Sequence, residues 1–260
     1  MPRRVVLVAC GSFNPITNMH LRMFELARDH LRSTGMFEVT DGIISPVSDA
    51  YPKSGLVPAQ HRCAMTNLAV NSSDWIRLDA WESSQGKWIE TRTVLQHHQD
   101  AFLENPGQKL PKRRRTDNNI NECPAQVMLL CGGDLIQSFN VPGLWADRDI
   151  EYILSNFGIV VVSRAGTDVR RLVYESDILS HYKNNIHVVT EWITNEISST
   201  KIRRALQRNE SVRYLLQDSV IAYIKEHGLY EAKYLPHAAM NNNNNNDRDG
   251  DDDSEDGTPV

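Results

Sequence analysis

The residues with the most chemical content stand in two short clusters near opposite ends of the chain. The first is GSFNPITNMH over residues 11–20, where small residues, a proline and one histidine follow an apolar run. The second is ISSTKIR over residues 197–203, in which hydroxyls are followed by cations. Both fit the start of a helix, where free backbone N–H groups and the helix dipole favour negative charge and therefore phosphate. Two such clusters in one short chain point to an enzyme that handles nucleotides. In the first, Gly11 either takes a positive φ or lets a phosphate approach the backbone. Ser12 offers a hydroxyl and an N–H, Pro15 stiffens the loop, and His20 projects from the first helical turn back toward it. By itself this loop reads equally as an ordinary strand-to-helix turn with a surface histidine. It is neither the dinucleotide fingerprint G-x-G-x-x-G nor a P-loop. In the second, Ser198 or Ser199 caps the helix, with Thr200, Lys201 and Arg203 in its first turn.

The elements that must position these clusters alternate between strand-like and helix-like, which predicts an α/β fold with a parallel sheet and helices on its faces. Residues 5–10 are nearly all apolar, as a central parallel strand should be. Leu21, Phe24, Ala27 and Leu31 then share one side of a helix. Further strands are expected at 42–45, 75–78, 127–131, 157–162 and 186–189. Further helices are expected at 58–71, with Pro58 in its first turn, at 91–103, as a short helix after CGGD, at 199–208 and at 211–226. Gly228 fits near the last C-cap. His97 and His98 fall on a helical stretch and are read as solvated.

Composition sets limits. A chain of 260 residues can bury a sizeable core, and a single domain over residues 1–234 is the simplest reading. Residues 105–125 are polar and basic, without apolar periodicity, and read as a flexible insertion. Residues 235–260, with six consecutive asparagines and an acidic run, read as a disordered tail. The formal net charge is -5, but residues 247–260 hold seven acids against one arginine, so the acidity belongs to the tail. Without that tail the chain is near neutral, and nucleic acid is not an expected partner. Cys10, Cys63, Cys123 and Cys131 lack metal-type spacing and suit a reduced intracellular protein. No run approaches a membrane span. The basic run KRRR at 112–115 is either a solvated charge run or a nuclear-import signal, so nuclear residence is expected, with the cytoplasm as the alternative.

The coincidence of the two clusters resembles the nucleotidyltransferase superfamily that shares the fold of class I aminoacyl-tRNA synthetases, with a histidine motif after the first strand and a Ser/Thr-x-x-Arg motif far downstream. Thr17 stands where that superfamily has its first histidine and Met19 where it has glycine, so only His20 of the pair survives. GIISPVSDAYPKSGL, the WES segment with Trp88 and Thr91, LLCGGDL, Leu144 with Trp145, SRAG and the segment from NIHVV to KIRRAL narrow the match. From about residue 5 to 230 the chain is similar to eukaryotic nicotinamide mononucleotide adenylyltransferases.

That resemblance implies a Rossmann-like doubly wound parallel sheet of the nucleotidyltransferase type with C-terminal helices. It implies adenylyl transfer from ATP to nicotinamide mononucleotide, and to nicotinic acid mononucleotide, giving NAD or its acid analogue and pyrophosphate. Its site residues carry over as follows. His20 and Arg203 hold ATP phosphates, aided by Ser199 and Thr200, with Lys201 and Ile202 in the same motif. Gly11 and Ser12 meet the phosphate where the substrates join, and Lys53, near Tyr51, meets the mononucleotide phosphate. Trp88 and Trp145 sandwich the nicotinamide ring beside Leu144, and Thr91 bonds the carboxamide. Gly132 and Asp134 face the ribose and adenine side, and Arg164 and Asn195 complete the adenosine end. Without the family, both tryptophans would be read as core, and Asp134 as a plain helix N-cap. Mg²⁺ is expected on the ATP phosphates and not in a protein cage, and a homo-oligomer is implied. A nucleotide-binding protein that holds other proteins through its insertion and tail is the alternative, although the intact set His20, Lys53, Trp88 and Arg203 favours catalysis. A sister transferase acting on pantetheine phosphate or a CTP substrate is a third reading, against which both tryptophans argue.

Overall fold

The computed structural model describes residues 1–104, 125–163, 167–193 and 195–232. Most of the insertion, with its basic run 112–115, lies outside the described residues, as do Arg164 and the tail. Six strands form one sheet: β1 (Arg3–Gly11), β2 (Phe37–Pro46), β3 (Ile76–Leu78), β4 (Gln126–Gly132), β5 (Ile159–Ser163) and β6 (Ile186–Thr190). All pairings are parallel, in the order β3-β2-β1-β4-β5-β6. The chain winds outward from β1 in one direction and from β4 in the other. The sheet therefore opens a crevice between the carboxyl ends of β1 and β4, where such folds bind ligands.

Nine helices accompany the strands among the described residues: α1 (Asn18–Ser33), α2 (Ala59–Ala69), α3 (Thr91–Glu104), α4 (Gly133–Phe139), α5 (Asp147–Asn156), α6 (Val169–Glu175), α7 (Asp177–His181), α8 (Ser199–Gln207) and α9 (Asp218–Glu226). None is long and apolar enough to cross a membrane. Alternate residues of β1 feed two cores. Val5, Leu7 and Ala9 join Met19, Phe24, Leu31, Ile202 and Ile224 on the face of α1, α8 and α9. Val6 and Val8 join Leu95, Ile136, Ile153 and Phe157 on the other. Burial on both faces explains why β1 reads as an unbroken apolar run.

Three expectations are corrected. The helix foreseen over 211–226 begins only at Asp218. Tyr214 sits at φ 67 and Gln217 is extended, so the backbone before α9 turns and does not wind. Val212, Leu216, Val220 and Ile224 are all buried, and their four-residue spacing imitates one continuous helix. His97 and His98 are not solvated as read: His98 is buried, and His97 stacks on Trp81 at 3.8 Å with an interplanar angle of 8°. Pro58 is the N-cap of α2, one position before the helix starts, and α5, α6 and α7 were not foreseen.

Gly42 has no room for a side chain. A Cβ there would lie 2.8 Å from Phe24 Cδ1 and 3.1 Å from Trp75 Cζ3, two aromatic rings locked edge-on to each other. Gly42→Ala should cost about 1–3 kcal/mol through overpacking, read as a lower urea midpoint. An unchanged midpoint would show that the rings yield.

His98 predicts a pH effect. Burial lowers its pKa to about 4, and its Nε2 is buried without a hydrogen-bond partner. The fold keeps the ring neutral while the unfolded chain protonates near the ordinary value of about 6.5. This contribution is therefore complete above that value and lost as pH falls toward about 4, up to about 3 kcal/mol. Glu82 slopes the other way: burial raises its carboxyl to about 7, so its share is present below the ordinary carboxyl pKa and lost as pH rises through about 7. The expected signature is thus a difference. His98→Gln should flatten the acid limb of stability against pH, and parallel curves for the two proteins would refute it.

Candidate active site

The carboxyl end of β1 runs into a loop whose polar groups are almost all spoken for. Gly11 finishes the strand with an extended backbone, and Phe13 takes the left-handed conformation, at φ 43. Of the two uses foreseen for Gly11, the positive φ is not the one the backbone makes. The Asn14–Pro15 peptide is cis. Asn14 is fully buried, donating from Nδ2 to the Gly55 carbonyl at 2.8 Å and accepting at Oδ1 from the Tyr230 hydroxyl at 2.7 Å. Arg62, also fully buried, donates to the carbonyls of Ser12, Val47 and Val57 at 3.1, 2.7 and 2.9 Å, and pairs with Asp49 at 2.9 Å. One guanidinium fork thus ties together the loops after β1 and β2.

Thr17 caps α1, and its backbone N–H donates to His20 Nδ1 at 3.0 Å. The Thr17 hydroxyl lies 2.8 Å from the same nitrogen. Holding Nδ1 as the acceptor places the proton of a neutral ring on Nε2. Phe13 packs edge-on to this ring at 5.2 Å.

The start of α8 is docked against the same loop from far along the chain. Ser198 caps the helix by accepting from the Lys201 N–H, and Ser199 Oγ donates to the Pro15 carbonyl at 2.8 Å. Arg203 donates to the Asn14 carbonyl at 2.8 Å and reaches Thr200 Oγ1 at 3.4 Å. Lys201 pairs with Glu196, and the Ile202 side chain enters the core, so Ile202 offers a ligand only its backbone. Lys53 Nζ donates to Ser12 Oγ at 3.1 Å. Its ammonium is pushed down from the usual lysine pKa, first by partial burial and then by the charges of Arg203 and Arg62. Three cations thus repel one another around one loop, an arrangement that a bound anion relieves.

The other predicted residues sit along the same edge of the sheet. Trp88 is 48% exposed, beside Tyr51 at a ring separation of 6.3 Å, so core packing does not explain it. Thr91 opens α3. Ser48 Oγ donates to the Lys87 carbonyl at 3.1 Å and steadies the segment that carries Trp88. Leu144 is exposed, whereas Trp145 is half-buried, edge-on to Phe139 at 4.8 Å, with its indole N–H on Ser138. Gly132 is the N-cap of α4, which places Asp134 in its first turn, exposed and not capping. Asn195 Oδ1 accepts from the Ile197 N–H and stiffens the approach to α8. A groove of 530 Å³ runs along the outer side of α1 between Arg22, Trp75 and Glu191, and among the predicted residues only Asn195 lines it. Charge and backbone donors mark the site.

Sequence reasoning passed over Asn14, Arg62 and Tyr230. Asn14 lies inside the first cluster, but an asparagine there reads as a turn residue. Nothing local distinguishes Arg62 from a surface arginine of α2, or Tyr230 from any residue after a last helix.

A 3-2-1-4-5-6 parallel sheet with two helix starts and three cations at its switch point is a Rossmann-like fold suited to binding the phosphates of a nucleotide. Residues 8–205 match the Cytidylyltransferase-like family. The chain is 48% identical over 251 residues to nicotinamide/nicotinic acid mononucleotide adenylyltransferase 1 of Bos taurus, covering 88% of this chain and 89% of that protein. It is 46% identical over 253 residues to the nicotinamide-nucleotide adenylyltransferase of Drosophila melanogaster, covering 92% of this chain but 65% of that longer protein. The solved nicotinic acid mononucleotide adenylyltransferase of Plasmodium falciparum, complexed with NaAD, shares the fold at a TM-score of 0.61 and 16% identity, over 89% of this chain and 99% of that one. The chain belongs to the nicotinamide/nicotinic acid mononucleotide adenylyltransferase family.

Arg62 yields the prediction of this section. Arg62→Lys keeps the charge but cannot reach three carbonyls and Asp49 at once, so buried acceptors lose their donors. Stability should fall by about 2–3 kcal/mol, measured by chemical denaturation. An equal midpoint for the two proteins would remove Arg62 from this role.

Proposed function

We propose that this chain transfers the adenylyl group of ATP to nicotinamide mononucleotide, and to its nicotinic acid analogue, forming NAD or its acid analogue and releasing pyrophosphate. The observation that carries this reading is the convergence of Ser12, Lys53, His20 and Arg203 on one loop at the switch point, tied across the chain by Ser199 and Arg203. A phosphate oxygen of the mononucleotide attacks the α-phosphorus of ATP directly. The bond from that phosphorus to the bridging oxygen of the β-phosphate breaks, and pyrophosphate leaves with the electron pair. No protein nucleophile takes part, so the work is positioning and charge neutralisation.

In this reading the Nε2–H of His20 and the guanidinium of Arg203 bind the ATP phosphates, with the N–H groups and hydroxyls of Ser199 and Thr200, while Lys201 and Ile202 extend the same helix start. Ser12 and Lys53 take the mononucleotide phosphate, and Gly11 leaves room for it. Trp88 and Trp145 flank the pyridinium ring by stacking and cation–π attraction, bordered by Tyr51 and Leu144, with Thr91 on the carboxamide. Gly132, Asp134, Arg164 and Asn195 serve the adenosine. No cluster of three or more metal-ligating side chains exists among the described residues, and the donors at the loop are cationic. Such a donor set suits phosphate oxygens, and Mg²⁺ arriving on ATP would supply further charge neutralisation.

The test is steady-state NAD formation from ATP, Mg²⁺ and nicotinamide mononucleotide. His20→Ala should lower kcat by about 10²–10³-fold. Trp88→Ala should raise the KM for the mononucleotide by about tenfold, with the KM for ATP little changed. Folded wild-type protein without turnover would sink the assignment.

A further inference from the structure

The exit of β2 carries a buried acid that the reaction as described does not use. Glu82 begins a short 3-10 turn, Glu82–Ser84, and is 3% exposed. Its Oε2 accepts from Ser45 Oγ at 2.5 Å. Ser45 lies beside Cys10 in the sheet, one residue before the Gly11 and Ser12 pair. From Glu82 the chain arcs outward to Trp88 and Thr91, and Ser48 catches that arc again at Lys87. Two side-chain bonds from the end of β2 therefore hold the segment that presents the ring-binding residues. Glu82 stands at its base, six residues before Trp88 and bonded to the strand that runs beside the one leading into the phosphate loop.

We propose that Glu82 is a specificity-determining residue whose charge sets the preference between the amide and the acid mononucleotide. This rests on the adenylyltransferase reading. The two substrates share ribose, phosphate and pyridinium, and differ only in a neutral carboxamide against a carboxylate. A carboxylate buried at the base of the segment that carries Trp88 and Thr91 repels the second and not the first, and low dielectric strengthens that difference. When Glu82 is neutral the discrimination disappears.

Glu82 is placed to change charge near neutrality. Burial raises its carboxyl to about 7, against the lowering effects of the Ser45 hydrogen bond and the Arg62 charge. The groups around it do not share this behaviour. Cys10 on β1 is held well above its ordinary thiol pKa, chiefly by burial, and stays neutral. Arg62 on α2 is paired with Asp49, with Cys63 nearby bonding to Ser83. Beyond Trp81, Asp79 is held below the usual carboxylate range by the Trp81 N–H and by Arg77 against the effect of burial, and His98 is held neutral. His97, stacked on Trp81, serves as the control.

The measurement is the ratio of kcat/KM for nicotinic acid mononucleotide to that for nicotinamide mononucleotide, from about pH 6 to about pH 8. The titration of the common phosphate and any effect on ATP cancel in the ratio. In wild type the ratio should fall about threefold or more as pH rises, with a midpoint near the Glu82 value. Glu82→Gln should make it flat, and His97→Gln should leave it sloping. Ser45→Ala removes the bond that favours the carboxylate, so its midpoint should move to higher pH; this variant keeps the acid and tests the idea even where Glu82→Gln folds poorly. A flat wild-type ratio, or a slope unchanged in Glu82→Gln, would overturn the proposal while the adenylyltransferase reading stands. No turnover with either mononucleotide would bring down both.

Discussion

The rest of the site depends on two backbone carbonyls, those of Asn14 and Pro15, and on what satisfies them. Both lie in the loop that leaves β1, and both accept from the first turns of α8, through Arg203 and Ser199. The donors stand more than 180 residues away in the chain. A buried carbonyl without a partner costs about 1–3 kcal/mol, so the loop and α8 specify each other's positions. Neither cluster of phosphate-type residues could form its half of the site alone. Asn14 and Arg62 repeat the device on the other side, linking the loop to Gly55, Val57, Val47 and Tyr230.

This lacing holds cations where folding alone would disperse them. Partial burial, and after it the charges of Arg203 and Arg62, lowers the stability of the charged form of Lys53. Arg62 has Asp49 and a set of carbonyls to offset its burial, and Arg203 has one carbonyl and one hydroxyl. Lys53 has only the Ser12 hydroxyl among the contacts the structure shows. The positive potential is thus least compensated at the tip of the loop, between Ser12 and the start of α8. A phosphate chain bound there replaces repulsion by charge-assisted hydrogen bonds. Stability given up by the free protein in this way reappears as affinity for the ligand.

What was legible in the sequence was what short range determines. Strands buried on both faces, the capped starts of α1 and α8, and the glycines at strand ends all announce themselves within a few residues. The parallel sheet and the two phosphate-type clusters followed from them, whereas the ring-side and adenosine-side residues came only from the family resemblance. What was not legible depended on distant partners. Arg62 becomes a core residue only because three carbonyls from two loops converge on it. Histidine 98 becomes buried because α3 turns it toward the sheet, against its polarity. The break before α9 was hidden because Val212 and Leu216 keep helical spacing while their backbone does not. The tryptophans divide along the same line: Trp88 is exposed enough to need another explanation, whereas Trp145 keeps one edge on Phe139 and its N–H on Ser138.

Thr17 shows how the site works with a single histidine. Its place in the loop is where a second imidazole would stand in the wider superfamily, and a lost catalytic group would be the simple reading. The structure gives Thr17 a different use. Fully buried at the N-cap, it points its N–H at Nδ1 of His20 and sets its hydroxyl within 2.8 Å of the same nitrogen. The ring is thereby oriented and its tautomer selected, which are the two properties a phosphate-binding imidazole needs before any substrate arrives. A second imidazole would add a donor but would bring its own titration to a loop already crowded with cations. A capping threonine orients the first without adding charge. That arrangement fits the reaction proposed above, in which no proton has to leave a protein nucleophile and the phosphates arrive with charge to be neutralised.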